Sequence, residues 1–338
     1  MSENRQNKDA DIIMQVIDVK KHYPVSGSGF SKKNHKVLKA LDGVSITIRK
    51  GEIFGIVGES GCGKSTLGRA MLRLFPVTDG QVIFKGDDIS KLDRRQMKAY
   101  RRDMQMIFQN PFSSFNPKLK VGTSLREVAT VYGMSEEEAD KKIKELLDYI
   151  HLPEDMLNRS PGELSGGQLQ RLAIARALIL NPSFIVADEP VSALDVSVQA
   201  QILNLITDLR KEVGMTMLFI SHEMTVVEHI CDYVAVMYLG KVMEMAPTKV
   251  LFANLLHPYT QALMSAIPKA DPEIVTERIM LEGDIPNAID LPSGCRFASR
   301  CRYCSEICKT KEPLLTDVGD GHFVACHRVS QKQDSIKQ

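Results

Sequence analysis

The stretch GESGCGKST, residues 58–66, decides the fold of this 338-residue chain. It fits the pattern G-x-x-x-x-G-K-[ST], follows the apolar run IFGIV and precedes the helical sequence LGRAMLRL. Its glycines let successive backbone N–H groups close around a phosphate, and the start of a helix adds a favourable dipole. Lys64 is placed to reach the β- and γ-phosphates of a nucleotide, and Ser65 to ligate Mg²⁺. The sequence therefore predicts a phosphate-binding loop formed by Gly58, Ser60, Gly61, Cys62, Gly63, Lys64, Ser65 and Thr66.

Four short apolar runs predict buried strands: IFGIVG (53–58), FIVAD (184–188), MLFISH (217–222) and YVAVMYLG (233–240). They alternate with amphipathic helical stretches, a pattern typical of a mostly parallel sheet covered by helices. Three of the runs end in a residue that could do chemistry. Open α/β sheets bind ligands at the carboxyl ends of their strands, so we expect the functional site at that edge.

The run FIVADEP supplies two acids at the end of such a strand. Asp188 suits Mg²⁺ coordination, directly or through water, and Glu189 is placed to polarise an attacking water. Two acids at a strand end are often only a solvated edge. With a phosphate-binding loop upstream, the pairing predicts a nucleoside triphosphatase rather than a passive binder.

A second anion-binding element is predicted at LSGGQ, residues 164–168, which precedes the helical sequence LQRLAIARALIL. Ser165 can offer a hydroxyl, and Gly166 and Gly167 can offer unobstructed N–H groups, at the start of a helix. One chain then carries two phosphate-binding elements separated by about a hundred residues of sequence.

Composition excludes some functions. Lys and Arg number 43 and Asp and Glu 42, so the charge balance predicts no nucleic-acid partner. The N-terminus MSENRQNKDAD lacks the apolar core of a signal peptide, and no run reaches the roughly 18 apolar residues of a membrane span. We therefore expect a cytosolic chain unless partners hold it at a membrane. The Gly-, Ser- and Lys-rich segment 24–36 is expected to be an exposed loop.

The phosphate-binding loop, LSGGQ and VADEPVSALD, in this order and spacing, resemble the ATP-binding subunit of an ABC transporter. The resemblance implies an α/β fold: a P-loop NTPase ABC cassette, with a RecA-like core and a helical subdomain, plus a small Cys-rich C-terminal extension. We expect the cassette over residues 12–268, with its helical subdomain at about 110–180, and the extension with its metal site over 269–338. In this family two cassettes form a head-to-tail dimer that holds ATP between the loop of one and the LSGGQ of the other.

The resemblance also implies roles for single residues. Gln109 matches the position that contacts Mg²⁺ and the attacking water, and His222 matches the switch histidine at the γ-phosphate. Tyr23 matches the aromatic residue that stacks on adenine. Gln168 belongs to the LSGGQ element, and Asp195 matches a loop that crosses the dimer interface.

Within the family the chain is most similar to the ATP-binding subunits of oligopeptide and dipeptide importers, on MIFQNPFSSFNP, LLHPYTQALMSAIP, GCRF and VACH. It resembles the F-type subunit more than the D-type. The implied partners are a second ATP-binding subunit in a heterodimer, two transmembrane permease subunits and, indirectly, an extracytoplasmic peptide-binding protein. The implied location is the cytoplasmic face of a prokaryotic membrane.

The alternative is a different class of ATP-binding protein. A soluble ABC ATPase of translation or DNA repair would share the ATP motifs, although the chain shows neither tandem cassettes nor a coiled coil. A small-molecule kinase would not need LSGGQ.

Five of the seven cysteines lie between Cys295 and Cys326. In a reducing cytosol such a cluster predicts metal ligands rather than disulfides. The extension resembles that of importer subunits in which four cysteines hold a [4Fe–4S] cluster, which implies Cys295, Cys301, Cys308 and Cys326 as ligands. Four thiolates would equally satisfy a structural Zn²⁺, and free cysteines in a small cap remain a third possibility.

The other residues near this cluster leave the choice of metal open. Cys304 departs from the family pattern and forms a C-x-x-C with Cys301, which favours zinc. His322 and His327 are nearby spare ligands. Outside the cluster, Cys62 occupies an unspecified position of the phosphate-binding loop and is expected to be open to oxidation.

Overall fold

The computed structural model describes residues 11–25, 36–267, 278–283 and 286–330. Most of the predicted loop 24–36 lies outside the described residues, as does the predicted domain boundary at 268/269. No described helix is long and apolar enough to cross a membrane.

The described strands form two sheets. In chain order they are β1 (Ile12–Val25), β2 (Lys36–Arg49), β3 (Ile53–Val57), β4 (Asp79–Phe84), β5 (Asp87–Asp88), β6 (Met104–Ile107), β7 (Phe184–Asp188), β8 (Met217–Ile220), β9 (Tyr233–Tyr238), β10 (Lys241–Pro247), β11 (Thr316–Asp317) and β12 (Phe323–Val324).

The α-helices that accompany them are α1 (Lys64–Met71), α2 (Lys98–Arg101), α3 (Val121–Val131), α4 (Glu136–Tyr149), α5 (Gly166–Leu178), α6 (Val196–Val213), α7 (Met224–Ile230), α8 (Thr248–Ala253), α9 (Pro258–Ser265) and α10 (Glu306–Thr310). Short 3₁₀ turns lie at Pro111–Ser114, Glu154–Asn158, Pro161–Glu163 and Ala298–Arg300.

The larger sheet confirms the predicted α/β class. Its described order is β11-β12-β10-β9-β3-β8-β7-β6, and the four predicted strands lie side by side within it. β3 pairs in parallel with β8 and β9, and β7 pairs in parallel with β6 and β8. Every residue of β3, β7 and β8 is buried because both faces of the sheet are covered.

Two cores cover these two faces. On β3, Ile53 and Val57 face the core that is shared with helices α3 to α7, whereas Phe54 and Ile56 face a second core. The second core is closed by α1 and by the smaller antiparallel sheet, whose order is β2-β1-β4-β5. The loop between β3 and α1 therefore joins a fully buried strand to a helix that packs in the second core, so both of its ends are fixed.

The C-terminal extension is joined to the larger sheet. β12 pairs with β10 through Glu244 opposite Val324, and Phe297 packs against Tyr238 and Tyr259 at ring-centroid distances of 5.4 and 5.3 Å. The sequence predicts a bound metal in this segment, which would stabilise it. The structure shows an additional source of stability, because the extension shares the core of the cassette.

A buried carboxylate ties the same region together. Glu244 accepts hydrogen bonds from the backbone N–H groups of Leu256, at 2.8 Å, and His257, at 3.1 Å. Its Oε1 also lies 2.8 Å from Nε2 of His322. This pairing corrects the expectation that His322 is a spare metal ligand, since its ring is buried against Glu244.

A buried histidine at the start of α9 predicts acid sensitivity of the fold. Nδ1 of His257 accepts a hydrogen bond from the Tyr259 N–H at 3.1 Å, and burial lowers the pKa of His257 from 6.5 to about 4, against the opposing charge of Glu244. The unfolded chain takes up this proton near pH 6.5. The free energy of unfolding should therefore fall by about 3 kcal/mol as the pH is lowered from 6.5 to 4, as measured by urea unfolding at each pH.

The matched variants are His257→Asn, whose side chain can still accept the Tyr259 N–H, and His229→Asn at an exposed position of α7. His257→Asn should remove that part of the pH dependence, and His229→Asn should keep it. An unchanged pH dependence in His257→Asn would contradict the prediction.

Candidate nucleotide site

The loop of residues 58–66 lies between the end of β3 and the start of α1, as the sequence predicts. Gly58 has φ +150°, and a Cβ there would lie 2.2 Å from the carbonyl oxygen of Met237. Gly63 has φ +108°, and its Cβ would lie 2.5 Å from the carbonyl oxygen of Ala40. Only glycine fits at these two positions, because the loop lies directly against neighbouring backbone.

The two polar side chains at the end of this loop already have partners. Lys64 is only 4% exposed, and its Nζ donates to the carbonyl oxygens of Gly58, at 2.7 Å, and Glu59, at 3.1 Å. Ser65 Oγ donates to Asp188 Oδ1 at 2.6 Å. Burial raises the pKa of Asp188, and the hydrogen bond from Ser65 and the charge of Arg69 oppose that rise.

Glu189 lies at the centre of the polar residues at this edge. Its Oε2 lies 3.0 Å from Nε2 of Gln109 and 3.3 Å from Nδ1 of His222, and its Oε1 lies 4.0 Å from Nζ of Lys64. The backbone of Glu189 has φ +49°, a left-handed conformation that costs a non-glycine residue about 1–3 kcal/mol. The strained turn directs the carboxylate back toward the loop from the end of β7.

These residues surround one open cavity of about 730 Å³. It is lined by Tyr23, Leu38, Ala40, Gly58, Glu59, Ser60, Gly61, Gly63, Lys64, Ser65, Thr66, Gln109, Glu189, His222, Leu263 and Ala288. Such a volume falls within the range of small-molecule sites. Asp188 reaches the cavity only through Ser65.

The structure corrects one member of the predicted loop. The side chain of Cys62 is only 4% exposed and does not line the cavity. Burial also raises the pKa of its thiol, so Cys62 is not the oxidation-prone residue that the sequence predicted. The side chain instead packs in the core that lies under α1.

Tyr23 lines the cavity together with Leu38, its partner on the paired strand β2, and with Ala40 of the same strand. The residue is 37% exposed, and its ring makes an edge contact with Phe75 at a centroid distance of 6.3 Å. Nζ of Lys21 lies 4.8 Å from the centroid of the same ring. A planar ring that is half open to the cavity can stack on a ligand.

The LSGGQ element lies outside this cavity, at the start of α5. Ser165 caps the helix by accepting the Gln168 N–H at 3.3 Å, while the Gln168 side chain accepts the Ser165 N–H at 3.0 Å. Gly167 fits closely against α6, because a Cβ there would lie 2.5 Å from Val198. Ser165 and Gly166 are exposed, and so is Asp195 before α6, which leaves these groups facing outward.

Sequence reasoning missed residues that come from distant segments. Glu59 is within the quoted loop, but nothing in its local sequence shows that it pairs with Arg300 of the extension. Leu263 and Ala288 also line the cavity from the C-terminal third of the chain. The N–H of Lys39 donates to the carbonyl oxygen of Ala288 at 3.1 Å, which holds that segment in place.

The cysteines of the extension line a second, smaller cavity of about 160 Å³. The four predicted ligands, Cys295, Cys301, Cys308 and Cys326, all contribute to its wall. Within the described ranges, however, no group of three or more His, Cys, Asp or Glu side chains is arranged to hold a metal ion. The predicted zinc or iron–sulfur site therefore has no direct support from the geometry.

Two other residues near the cysteines, Cys304 and His327, are placed differently with respect to this cavity. Cys304 does not line this cavity, whereas its C-x-x-C partner Cys301 does. His327 does line the cavity, but its Nε2 lies 2.8 Å from the carbonyl oxygen of Lys311. Burial raises the pKa of Cys295 to about 12, and the neighbouring thiols Cys308, Cys326 and Cys301 add to the rise.

Comparison with known proteins supports the fold and shows the family. Residues 41–192 match the family model described as ABC transporter. Residues 243–308 match the model described as Oligopeptide/dipeptide transporter, C-terminal region. The two matches contain the phosphate-binding loop and three of the four cysteines that line the small cavity.

Similar proteins cover most of the chain. The oligopeptide transport ATP-binding protein AppF of Bacillus subtilis is 48% identical over 324 residues, which are 95% of this chain and 98% of the relative. The dimeric post-hydrolysis structure of the ATP-binding cassette MJ0796 bound to ADP and Pi is 31% identical, with a TM-score of 0.62, and covers 70% of this chain and 99% of that one.

A third match extends the fold comparison. The cbiO1 structure from Clostridium perfringens, part of the ABC transporter complex cbiONQ, is 27% identical with a TM-score of 0.62 and covers 72% of this chain and 92% of that chain. The high identity across nearly the whole length of AppF, together with the two model matches, settles the family. The chain belongs to the ATP-binding proteins of the ABC transporter family that carry the oligopeptide/dipeptide transporter C-terminal region.

Proposed function

We propose that this chain is the ATP-hydrolysing subunit of an ABC transporter that imports peptides. The similarity to an oligopeptide transport ATP-binding protein and the C-terminal region shared with such transporters support the peptide substrate. The observation that carries the ATPase assignment is the convergence of Lys64, Gln109 and His222 on the carboxylate of Glu189 at the mouth of the loop.

The cavity suggests how the nucleotide lies. The triphosphate binds along the backbone N–H groups of residues 58–66, with Lys64 turning from its two carbonyl partners to the β- and γ-phosphates. The adenine stacks on the ring of Tyr23, next to Leu38 and Ala40.

The donor set at the end of the loop suits Mg²⁺. Ser65 and Asp188 present a hydroxyl and a carboxylate in contact with each other, and Gln109, which also lines the cavity, has an amide oxygen. Mg²⁺ prefers oxygen ligands and takes one or two protein groups together with phosphates and waters, so a complete protein cage is not required. When bound, the ion neutralises charge on the phosphates.

Hydrolysis depends on positioning and on charge that is already in place. Glu189 accepts a proton from the attacking water. Gln109 and His222, which both contact Glu189, orient that water and the γ-phosphate. Lys64 stabilises the negative charge that develops on the phosphate oxygens.

The exposed LSGGQ element implies a dimer. Ser165, Gly166, Gly167 and Gln168 lie away from the cavity of their own chain, so they are available to the ATP of a second subunit, with Asp195 at the same interface. We propose a heterodimer with another ATP-binding subunit, in which this chain is the F-type member. No nucleic-acid partner is proposed for this nearly neutral chain.

The remaining partners follow from the transporter assignment. Two permease subunits dock near Gln109, next to the exposed Phe112, and hold the chain at the cytoplasmic face of the membrane. The extracytoplasmic peptide-binding protein does not touch this chain. A soluble ATPase of translation or DNA repair is the second candidate, favoured only by motifs that all ABC ATPases share.

We also propose the domain division that the sequence suggested. Residues 12–268 form the nucleotide-binding domain, with a helical subdomain at about 110–180 that contains α3, α4 and α5. Residues 269–338 form the extension. β12 pairs with β10, so the extension docks on the nucleotide-binding domain.

The substitution Glu189→Gln tests the catalytic assignment. We expect ATPase turnover of the assembled transporter to fall by a factor of about 10²–10⁴, because the amide cannot accept the proton of the attacking water. The Kd for ATP should stay within about three-fold of the parent value, because Lys64 and the loop are unchanged. Turnover is measured by phosphate release and Kd with a fluorescent ATP analogue.

Two variants complete this experiment. Glu228→Gln removes an exposed carboxylate from α7 and should leave turnover unchanged, whereas Lys64→Ala should weaken ATP binding itself. Normal turnover in Glu189→Gln would show that another group activates the water. Retained ATP binding in Lys64→Ala would refute the proposed location of the phosphates.

We further propose that Cys295, Cys301, Cys308 and Cys326 hold a [4Fe–4S] cluster. The four residues line one cavity, and a [4Fe–4S] cluster is held by four cysteine thiolates. Without a cation, burial and mutual repulsion disfavour the thiolate forms, as the raised pKa of Cys295 shows. Cluster iron would supply the missing positive charge, and its role would be structural.

Anaerobic purification with iron, sulfide and zinc quantification tests the cluster. We expect iron and sulfide at about four each per chain, with broad visible absorbance, because four thiolates match this cluster. Cys308→Ser should remove that absorbance, and the control Cys304→Ser, outside the cavity, should keep it. Stoichiometric zinc, or no metal at all, would overturn the cluster proposal and leave the ATPase proposal intact.

A further inference from the structure

A side chain of the C-terminal extension contacts the phosphate-binding loop. Arg300 Nη1 donates to Glu59 Oε2 at 2.7 Å, and Nη2 donates to Oε1 at 3.1 Å, which makes a two-pronged ion pair across 241 positions of sequence. The Arg300 side chain is only 8% exposed and that of Glu59 is 23% exposed. Tyr259 adds a third contact, because its hydroxyl oxygen accepts the Glu59 N–H at 2.9 Å.

Glu59 presents an electrostatic problem for an anion-binding loop. It lies between Gly58 and Ser60 and lines the cavity, so its carboxylate is close to where phosphates would bind. An unpaired carboxylate there would repel the phosphates. Arg300 does not line the cavity and so cannot serve as a direct phosphate ligand. Its positive charge neutralises the Glu59 carboxylate through the ion pair.

We propose that Arg300 is a positioning residue for nucleotide binding. It holds the Glu59 carboxylate away from the phosphates and cancels its charge, and with Tyr259 it fixes the backbone of the loop at its second residue. This inference rests on the proposed nucleotide site at residues 58–66.

The turn that carries Arg300 is also part of the cysteine-lined cavity. Ala298 donates its N–H to the carbonyl oxygen of Cys295 at 3.0 Å, and Cys301 follows Arg300 directly and lines that cavity. Phe297, at the start of the turn, packs in the core against Tyr259. The packing of this turn therefore holds Arg300 in a fixed position next to the phosphate-binding loop.

The test measures the Kd of a fluorescent ATP analogue on the full-length chain and its variants. Arg300→Gln should raise Kd roughly ten-fold at low ionic strength, because Glu59 is left unpaired beside the phosphates. Adding Glu59→Gln to that variant should restore Kd to within about three-fold of the parent, because the repelling charge is gone. The Kd of Arg300→Lys should lie between those of the parent and of Arg300→Gln, since lysine keeps the positive charge but cannot make the two-pronged contact.

The dependence on salt distinguishes charge from shape. The effect of Arg300→Gln on Kd should shrink at about 1 M salt, where the screening length falls to about 3 Å. Arg302→Gln is the matched control. Its guanidinium lies 4.8 Å from the Tyr303 ring centroid, and we expect its Kd to stay within about two-fold of the parent.

Each failure has a separate meaning. A Kd within two-fold of the parent in Arg300→Gln, with binding lost in Lys64→Ala, would overturn the role of Arg300 and keep the proposed site. Unchanged binding in Lys64→Ala would overturn the site itself. If Glu59→Gln does not rescue Arg300→Gln, and thermal melting shows an equal loss of stability in both variants, Arg300 is structural and the inference is wrong.

Discussion

The parallel pairing of β3 with β8, and of β8 with β7, is the constraint on which the site depends. Parallel strands bring their carboxyl ends to one edge, so segments far apart in sequence deliver Gly58, Glu189 and His222 to the same place. Both faces of these strands are buried, which leaves their ends little freedom to shift. The geometry of the site is thus a property of the sheet.

The polar groups at this edge hold one another in place. Lys64 is held by two loop carbonyls, Ser65 by Asp188, and Glu189 by contacts with Gln109 and His222. Glu189, Gln109 and His222 already contact one another, so they need little reorganisation when charge develops, which is usually the largest source of electrostatic catalysis. The left-handed backbone of Glu189 shows that the fold accepts local strain to hold this carboxylate in place.

The extension belongs to this arrangement in a physical sense. Its strand β12 continues the larger sheet, and Phe297 and His322 are buried against residues of the cassette. Arg300 then contacts the phosphate-binding loop itself. A short, loop-rich segment buries too little apolar surface to be stable by itself, and this one gains stability from the core of the cassette.

The sequence by itself determined the α/β fold, the loop between β3 and α1, and the strand ends that carry Asp188 and Glu189. These features depend on contiguous residues, because glycine spacing, strand periodicity and helix starts are local properties of the backbone. Only the tertiary structure decided that Cys62 is buried and that Glu59 pairs with Arg300. It also decided that the larger sheet takes in the extension, and that the four predicted cysteine ligands surround a cavity that Cys304 does not reach. The local sequence does not specify these contacts, since Glu59 and Arg300 are 241 positions apart, and tertiary packing decides which side chains meet.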